Sequence, residues 1–298
     1  GAFNFLFYYS IMKWVFISAI SINISLANII HETGELSEFL GGNSPGSSYD
    51  NWVSHVTEGI ASEGFNDYGP DWLDVQTTGF GNYNKLESGD PILSYWEDIF
   101  SGFILGDTTL VDSLLQDSVE SFYYELVIFE DTVYNQVFHI IREQLDTSFI
   151  DINQSDNDLD DVVGSFRNGW GMYIINPQAT REQVIVQVPH PCDDFIAPYI
   201  AMDIFLETNA FAFMINGAGR EVLWTEVGNY SNSKSLSDPS RYPNTIFQKF
   251  QEVAVHPLVG IDPHWPLVFA IHSFDNESHA PRKSVIVASG SQNSFTTK

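Results

Sequence analysis

A histidine and an aspartate stand close together in VIVQVPHPCDD (184–194), where they could bind a metal ion. His190 and Asp193 follow an apolar run, and a turn after Pro191 would let both side chains converge on one ion. Zinc sites commonly combine such a close pair with a distant third ligand and leave one position open for water. His272, which ends the apolar run PLVFAIH, is the natural third ligand.

Two imidazoles and a carboxylate suit zinc, which lowers the pKa of a bound water toward about 7 and so supports hydrolysis at neutral pH. The alternative is structural: His190 and Asp193 could cap the loop after a strand, and His272 could be a hydrogen-bonded core histidine. The joint position of all three residues after apolar runs gives the metal interpretation equal weight with the structural one. In this interpretation Cys192 and Asp194 are bystanders or support the ligands.

Other catalytic groups receive less support from the sequence. Cys192 could be a nucleophile with a histidine as its base, but thiolates need electropositive surroundings, which Asp193 and Asp194 oppose. A triad built on Ser273 lacks a G-x-S-x-G elbow. The chain contains no G-x-G-x-x-G or Walker loop, so the sequence gives no indication of nucleotide binding.

The elements that would position these residues form an α/β pattern. Five apolar runs predict strands buried on both faces of a largely parallel or mixed sheet. These runs are MYIINP (172–177), VIVQV (184–188), FAFMIN (211–216), PLVFAIH (266–272) and SVIVAS (284–289). Helical spacing in 198–209 and 244–255 completes βαβ units. In such domains chemistry gathers at the carboxyl ends of the strands, which is where the candidate ligands stand.

The segments before residue 165 have a different texture. SFYYELVIFED (121–131) predicts a strand, and TVYNQVFHIIREQL (132–145) predicts a helix because its apolar residues share one helical face. INQSDNDLDD (152–161) predicts an acidic connector or, less readily, a metal-binding loop. Residues 28–120 are rich in Gly, Ser, Asn and Asp, which predicts loops and short helices, one of them in 48–65.

These patterns divide the chain into an acidic, loop-rich N-terminal region (28–120) and an α/β domain (121–298) that could be truncated at its C-terminus. The 39 acidic residues outnumber the 12 basic ones, and the net charge of -27 would repel nucleic acid and anionic membranes. Such a charge is typical of a soluble surface in a salty medium. The single cysteine excludes an intramolecular disulfide.

MKWVFISAISINISLA (12–27) resembles a secretory leader, with one positive charge, an apolar stretch and a small-x-small cleavage site at Ser25 and Ala27. The mature chain would begin near Asn28 and be secreted or periplasmic, without a stable membrane span. Residues 1–11 would then be upstream translation. The alternative is that 1–27 form one membrane anchor, since about 20 apolar residues span a bilayer.

His190-x-x-Asp193, followed far downstream by His272-Ser273-Phe274, resembles the pattern of the zinc carboxypeptidases and of their relatives, the succinylglutamate desuccinylases and N-formylglutamate amidohydrolases. The resemblance covers at most residues 165–298. It implies a three-layer α/β/α sandwich, one zinc ion, and hydrolysis of an amide or peptide bond. The implied substrate carries a carboxylate, as a small peptide or an N-acyl amino acid does.

The same resemblance implies roles for arginines and a glutamate. Arg220 and Arg241 would hold the substrate's carboxylate or polarise its carbonyl, because a guanidinium matches a carboxylate in two hydrogen bonds. The family's second ligand is Glu, where this chain has Asp193. Its general base is a late glutamate, and Glu277 or Glu221 would have to serve here; we assign Glu277.

A non-catalytic function is the alternative. A secreted acidic domain with exposed aromatic residues, as in the segments WED, PDW and GNY, could bind glycan or peptide. Chelation of zinc should separate the two classes, because a binding module without a metal would lose neither activity nor stability. The oligomeric state is left open by the sequence.

Overall fold

The computed structural model describes residues 29–41, 83–116, 123–144, 168–191, 194, 197–218, 224–225, 234–255 and 266–272. The strands are β1 (Ile30–Gly34), β2 (Tyr124–Asp131), β3 (Gln136–Glu143), β4 (Met172–Ile175), β5 (Arg181–Val188), β6 (Ala210–Ile215), β7 (Trp224–Thr225), β8 (Lys234–Ser235) and β9 (Leu267–Ala270). The helices are α1 (Leu36–Gly41), α2 (Pro91–Ile104), α3 (Thr108–Leu115), α4 (Ala197–Glu207) and α5 (Ile246–Val255).

A seven-stranded mixed sheet forms the centre of the fold, in the order β1-β2-β3-β4-β6-β5-β9. The pairs β1–β2, β5–β6 and β5–β9 are parallel. The pairs β2–β3, β3–β4 and β4–β6 are antiparallel. The predicted α/β class and mixed sheet are therefore confirmed, but within the described residues parallel pairs do not outnumber antiparallel ones.

The main correction concerns residues 132–145, where the helix prediction is wrong. Asp131 ends β2, and its Oδ1 accepts hydrogen bonds from the backbone N–H groups of Val133 (2.8 Å) and Tyr134 (2.6 Å). Asn135 then takes a left-handed conformation, with φ of 54°. This tight turn sends the chain back as β3, antiparallel to β2. The hairpin, together with β4, supplies the antiparallel pairs that the sequence did not predict.

Buried side chains of the helices and of the sheet form two apolar clusters. Alternate residues of each strand enter different apolar clusters, as Ile140 and Ile141 of β3 do. One cluster includes buried residues of α4, and the other includes those of α2, α3 and α5. Within the second cluster the ring of Phe100 lies 4.8 Å from Tyr173 on β4 and 5.0 Å from Phe250 on α5, measured between centroids.

Helix α2 shows how local sequence sets an element in place. Pro91 occupies the first turn, where its missing N–H costs nothing, and the Asp90 side chain caps the helix by accepting from Ile92 N–H at 3.0 Å. Its buried positions follow helical spacing and include Trp96 and Phe100. Because α2 packs on the sheet and β1 pairs with β2, residues of the 28–120 region contribute to the same core.

The other strands and helices predicted within the described residues are confirmed. They are the strands β2, β4, β5, β6 and β9 and the helices α4 and α5. β9 differs in burial from the prediction: Leu267 and Phe269 are 39% and 41% exposed. Within the described part of the chain β9 is the last strand of the sheet. The leader (12–27), the helix in 48–65, the connector 152–161 and the strand 284–289 lie outside the described residues.

Candidate metal centre

The adjacent parallel strands β5 and β9 bring two of the predicted ligands together. Their register pairs Gln187 with Ala270, and the N–H of Ile271 donates to the Gln187 carbonyl at 2.9 Å. His190 and His272 therefore leave the same edge of the sheet two or three residues later. The centroids of their rings are 4.9 Å apart.

Asp194 provides a carboxylate to both histidines. Its Oδ2 is 2.8 Å from Nδ1 of His272 and 3.7 Å from Nδ1 of His190. A turn fixes this position, because the N–H of Asp194 donates to the His190 carbonyl at 2.9 Å. The N–H of Ala197, where α4 begins, donates to the Asp194 carbonyl at 2.6 Å. The two prolines beside His190 end β5 and leave the chain free to make this turn.

Asp238 holds the other side of the His190 ring. Its Oδ1 lies 3.0 Å from Nε2 of His190 and accepts from the Ser240 N–H at 2.8 Å. The Ser240 hydroxyl is a further 3.3 Å neighbour of the same ring nitrogen. A hydrogen bond at Nε2 leaves Nδ1 facing Asp194, and within the described part of the protein this buried nitrogen has no hydrogen-bond partner. Such an arrangement is typical of a metal-binding histidine, whose second nitrogen is held by a carboxylate.

The two carboxylates govern the charge of the group when no metal is bound. Burial alone would lower the pKa of His190, but Asp194 and Asp238 outweigh it and raise that pKa to about 9. Burial would raise the pKa of Asp194, but His190 and His272 outweigh the effect of burial and hold that pKa well below its usual range. A protonated His190 thus balances the carboxylates, and a cation at the same place would do so equally well.

His190, Asp194 and His272 form a group that could hold a metal ion. One ligand atom from each lies within 4.8 Å of the others. Tetrahedral zinc with bonds of about 2.1 Å separates its ligand atoms by roughly 3.4 Å. The 2.8 Å and 3.7 Å distances from Asp194 stand on either side of that value, and the group as a whole, which spans up to 4.8 Å, would have to contract around a bound ion.

Arg241 lies beside the centre and is joined to it through Asp238. Its Nε is 3.2 Å from Oδ2 of Asp238, and its side chain is 47% exposed. The turn that carries both residues is tight, since the N–H groups of Arg241 and Tyr242 donate to the Asp238 carbonyl at 3.0 Å and 2.9 Å. Arg241 therefore presents a positive charge next to the histidines at a surface that a ligand can reach.

β6, which is parallel to β5, also contributes hydrogen bonds to the turn that carries Asp238. β6 ends at Ile215, and the buried side chain of Asn216 donates to the carbonyls of Ala218 (2.9 Å) and Ser237 (3.1 Å). Asn216 also donates its backbone N–H to Val188 at 3.0 Å, which ties it to the end of β5. The carboxyl ends of β5, β6 and β9 thus all contribute to the centre.

The predicted site residues divide into two groups. The structure places His190, His272 and Arg241 together, whereas Asp193, Arg220 and Glu277 lie outside the described residues. Asp194, predicted only as a bystander or a support for the ligands, contacts both histidines, and Asp238 was not among the predicted residues. The SDPSR segment that carries Asp238 did contain a signal, since Asp-Pro commonly starts a tight turn.

No protein-family model, curated protein or solved structure matches this chain. Within the described ranges, no helix is both long and apolar enough to cross a membrane.

Proposed function

We propose that the protein is a zinc-dependent hydrolase that cleaves an amide or peptide bond in a substrate carrying a carboxylate. The observation that supports this most is the group of His190, Asp194 and His272, in which a buried ring nitrogen faces a carboxylate without a hydrogen bond. Small peptides and N-acyl amino acids are the proposed substrates. The proposal includes one zinc ion, a three-layer α/β/α arrangement and a secreted or periplasmic location.

Each residue of the centre has a distinct part in this proposal. His190, Asp194 and His272 would hold the zinc, and Asp238 would fix the His190 ring with Nδ1 toward it. Zinc supplies the ability to lower the pKa of a bound water toward about 7. Asp193 is a further candidate ligand, since the zinc carboxypeptidase resemblance rests on His190-x-x-Asp193.

Arg241 is the proposed anchor for the substrate's carboxylate. Its side chain is 47% exposed and is held beside the histidines by the contact between Nε and Asp238, and a guanidinium can bind a carboxylate through two hydrogen bonds. Arg220 would polarise the scissile carbonyl, and Glu277 would be the general base. These two assignments rest on the family resemblance alone.

Two of the three aromatic residues that suggested glycan or peptide binding without catalysis are not exposed. Of the aromatic residues that suggested it, Trp96 in WED is fully buried and Tyr83 in GNY is almost so. Both pack in the core cluster against α2 and the sheet. The third aromatic, in PDW, lies outside the described residues.

A hydrolysis assay tests the proposal. The zinc-loaded protein is incubated with a panel of N-acyl amino acids and dipeptides, and released amines are measured with and without a chelator. We expect chelator-sensitive release that depends on a free substrate carboxylate and that Arg241→Ala reduces mainly through a higher KM. Comparison of Asp193→Asn with Asp194→Asn shows which carboxylate is needed. Release that is unchanged by the chelator, by His190→Ala and by His272→Ala would refute the proposal.

A further inference from the structure

Glu143, the last residue of β3, carries a carboxyl group that is fully buried. No Lys, Arg or His within the described ranges forms an ion pair with it. The adjacent Arg142 points to the other face of the sheet, where its Nε binds Glu125 at 2.7 Å. A buried carboxylate without a counter-ion is costly, so its surroundings must either stabilise the charge or favour a proton.

The groups that face Glu143 are N–H donors and tyrosines. Its Oε1 accepts from the backbone N–H of Asn168 at 2.6 Å and from its side-chain amide at 3.0 Å, and Oε2 accepts from Gly169 N–H at 3.0 Å. Tyr124 on β2 and Tyr173 on β4 are the titratable groups that interact with it electrostatically. Burial raises the pKa of Glu143 to about 7, although the N–H donors act in the opposite direction.

The segment that Glu143 binds is a short buried loop, Asn168–Gly171. The loop turns through two left-handed glycines, with φ of 67° at Gly169 and 99° at Gly171. Tyr124 Oη–H donates to the Gly171 carbonyl at 2.8 Å, and Trp170 Nε1–H donates to the Asn84 carbonyl at 2.6 Å. A proton on Glu143 would remove an acceptor from these loop N–H groups, because a protonated oxygen no longer accepts in the same way.

The loop is in direct backbone contact with the end of β6. A Cβ at Gly217 would lie 2.6 Å from the carbonyl carbon of Gly169 and 2.5 Å from the nitrogen of Gly171. The two backbone segments are therefore in direct contact, with no side chain between them. Asn216, the neighbour of Gly217, holds the Ser237 carbonyl, and Asp238 follows in the chain. A displacement of Gly169 would therefore move Gly217 and Asn216, and through the hydrogen bond to Ser237 it would move the turn that contacts His190.

We propose that Glu143 is a protonation-dependent anchor of the Asn168–Gly171 loop, and that this loop transmits its state to the β6 end through the contact between Gly169 and Gly217. Protons are the ligand of this device, and it responds near neutral pH. The ionised carboxylate accepts from the N–H groups of Asn168 and Gly169 and holds the loop tightly. The protonated group accepts fewer of them and holds the loop less tightly. This inference does not require zinc or hydrolysis, so it stands or falls separately from the proposed function.

Nuclear magnetic resonance of the full chain tests both halves of the proposal. In protein with 13C-labelled glutamate carboxyl groups, we expect one carboxyl carbon to titrate with a midpoint near pH 7, well above the value of about 4.3 for glutamate in model peptides. In protein labelled with 15N-glycine, the amides of Gly169 and Gly217 should shift with the same midpoint. His272→Ala should leave these shifts unchanged if the anchor is independent of the candidate metal centre.

Two variants identify the group responsible. Glu143→Gln cannot ionise and should abolish the titration of Gly169 and Gly217, whereas Tyr124→Phe removes a loop contact but keeps the carboxyl group and should preserve it. The anchor is refuted if every glutamate carboxyl of the wild-type protein titrates below about pH 5.5, a result that needs no variant to fold. A Gly169 amide that titrates while Gly217 stays constant would refute the transmission to β6.

Discussion

Asp238→Asn should weaken zinc binding without unfolding the protein. The wild-type carboxylate is buried and contacts Nε2 of His190, the N–H of Ser240 and Nε of Arg241. Asparagine has nearly the same shape and can keep an acceptor oxygen toward Ser240 and His190. The change therefore removes the negative charge while leaving the turn largely as it is.

The size of the effect follows from the role of the carboxylate. A neutral partner makes the His190 ring less basic and holds its orientation less firmly, and loss of such a partner typically weakens metal binding roughly 10–100-fold. This corresponds to about 1.4–2.7 kcal/mol in binding free energy. His190→Ala removes a ligand and should have a larger effect than Asp238→Asn.

Competition with a chromophoric chelator measures the zinc Kd of each variant at fixed pH. Asp112→Asn is the matched control, because Asp112 is also a buried carboxylate but lies on α3, where it accepts from the Gln116 side chain at 2.7 Å. Its zinc Kd should equal that of the wild type. The reasoning about Asp238 is wrong if Asp238→Asn binds zinc within about twofold of the wild type while His190→Ala does not bind it.

Two further predictions concern stability and are measured by urea unfolding. Gly217→Ala places a Cβ 2.5 Å from the backbone nitrogen of Gly171, so it should lower the free energy of unfolding by about 1–3 kcal/mol or more, whereas Gly34→Ala, whose nearest neighbour is 3.7 Å away, should be nearly neutral. Glu125→Ala leaves the buried Arg142 without its 2.7 Å ion pair and should cost about 3–5 kcal/mol. Lys85→Ala removes a partly exposed lysine from its ion pair with the exposed Glu87 and should cost less than about 1 kcal/mol; similar losses in both variants would contradict this reasoning.

The strands that could be predicted are those with continuous apolar runs. VIVQV and FAFMIN form the inner strands β5 and β6, since runs of this kind fit a sheet covered on both faces. The hairpin into β3 could not be predicted from spacing, because Val137, Ile140 and Ile141 satisfy a helical stripe equally well. Their β-branched side chains and the turn made by Asp131 favour a strand over a helix in this segment.

Part of the candidate centre could be predicted because it depends on topology. Two histidines after parallel strands must lie at the same edge of a sheet, and β5 and β9 are neighbours. The contributions of Asp194 and Asp238 depend on how the chain turns after β5 and before α5. Those turns are set by hydrogen bonds such as the one from Asp194 N–H to the His190 carbonyl, which no residue spacing reveals.

The most direct test of the metal centre is the zinc content of the purified protein, measured by mass spectrometry after dialysis against metal-free buffer. The proposed centre predicts about one zinc per chain in the wild type and in His31→Ala, a variant at an exposed histidine on β1, and almost none in His190→Ala or His272→Ala. Stoichiometric zinc in both of the latter variants, or its absence from a wild-type protein supplied with zinc, would contradict the account.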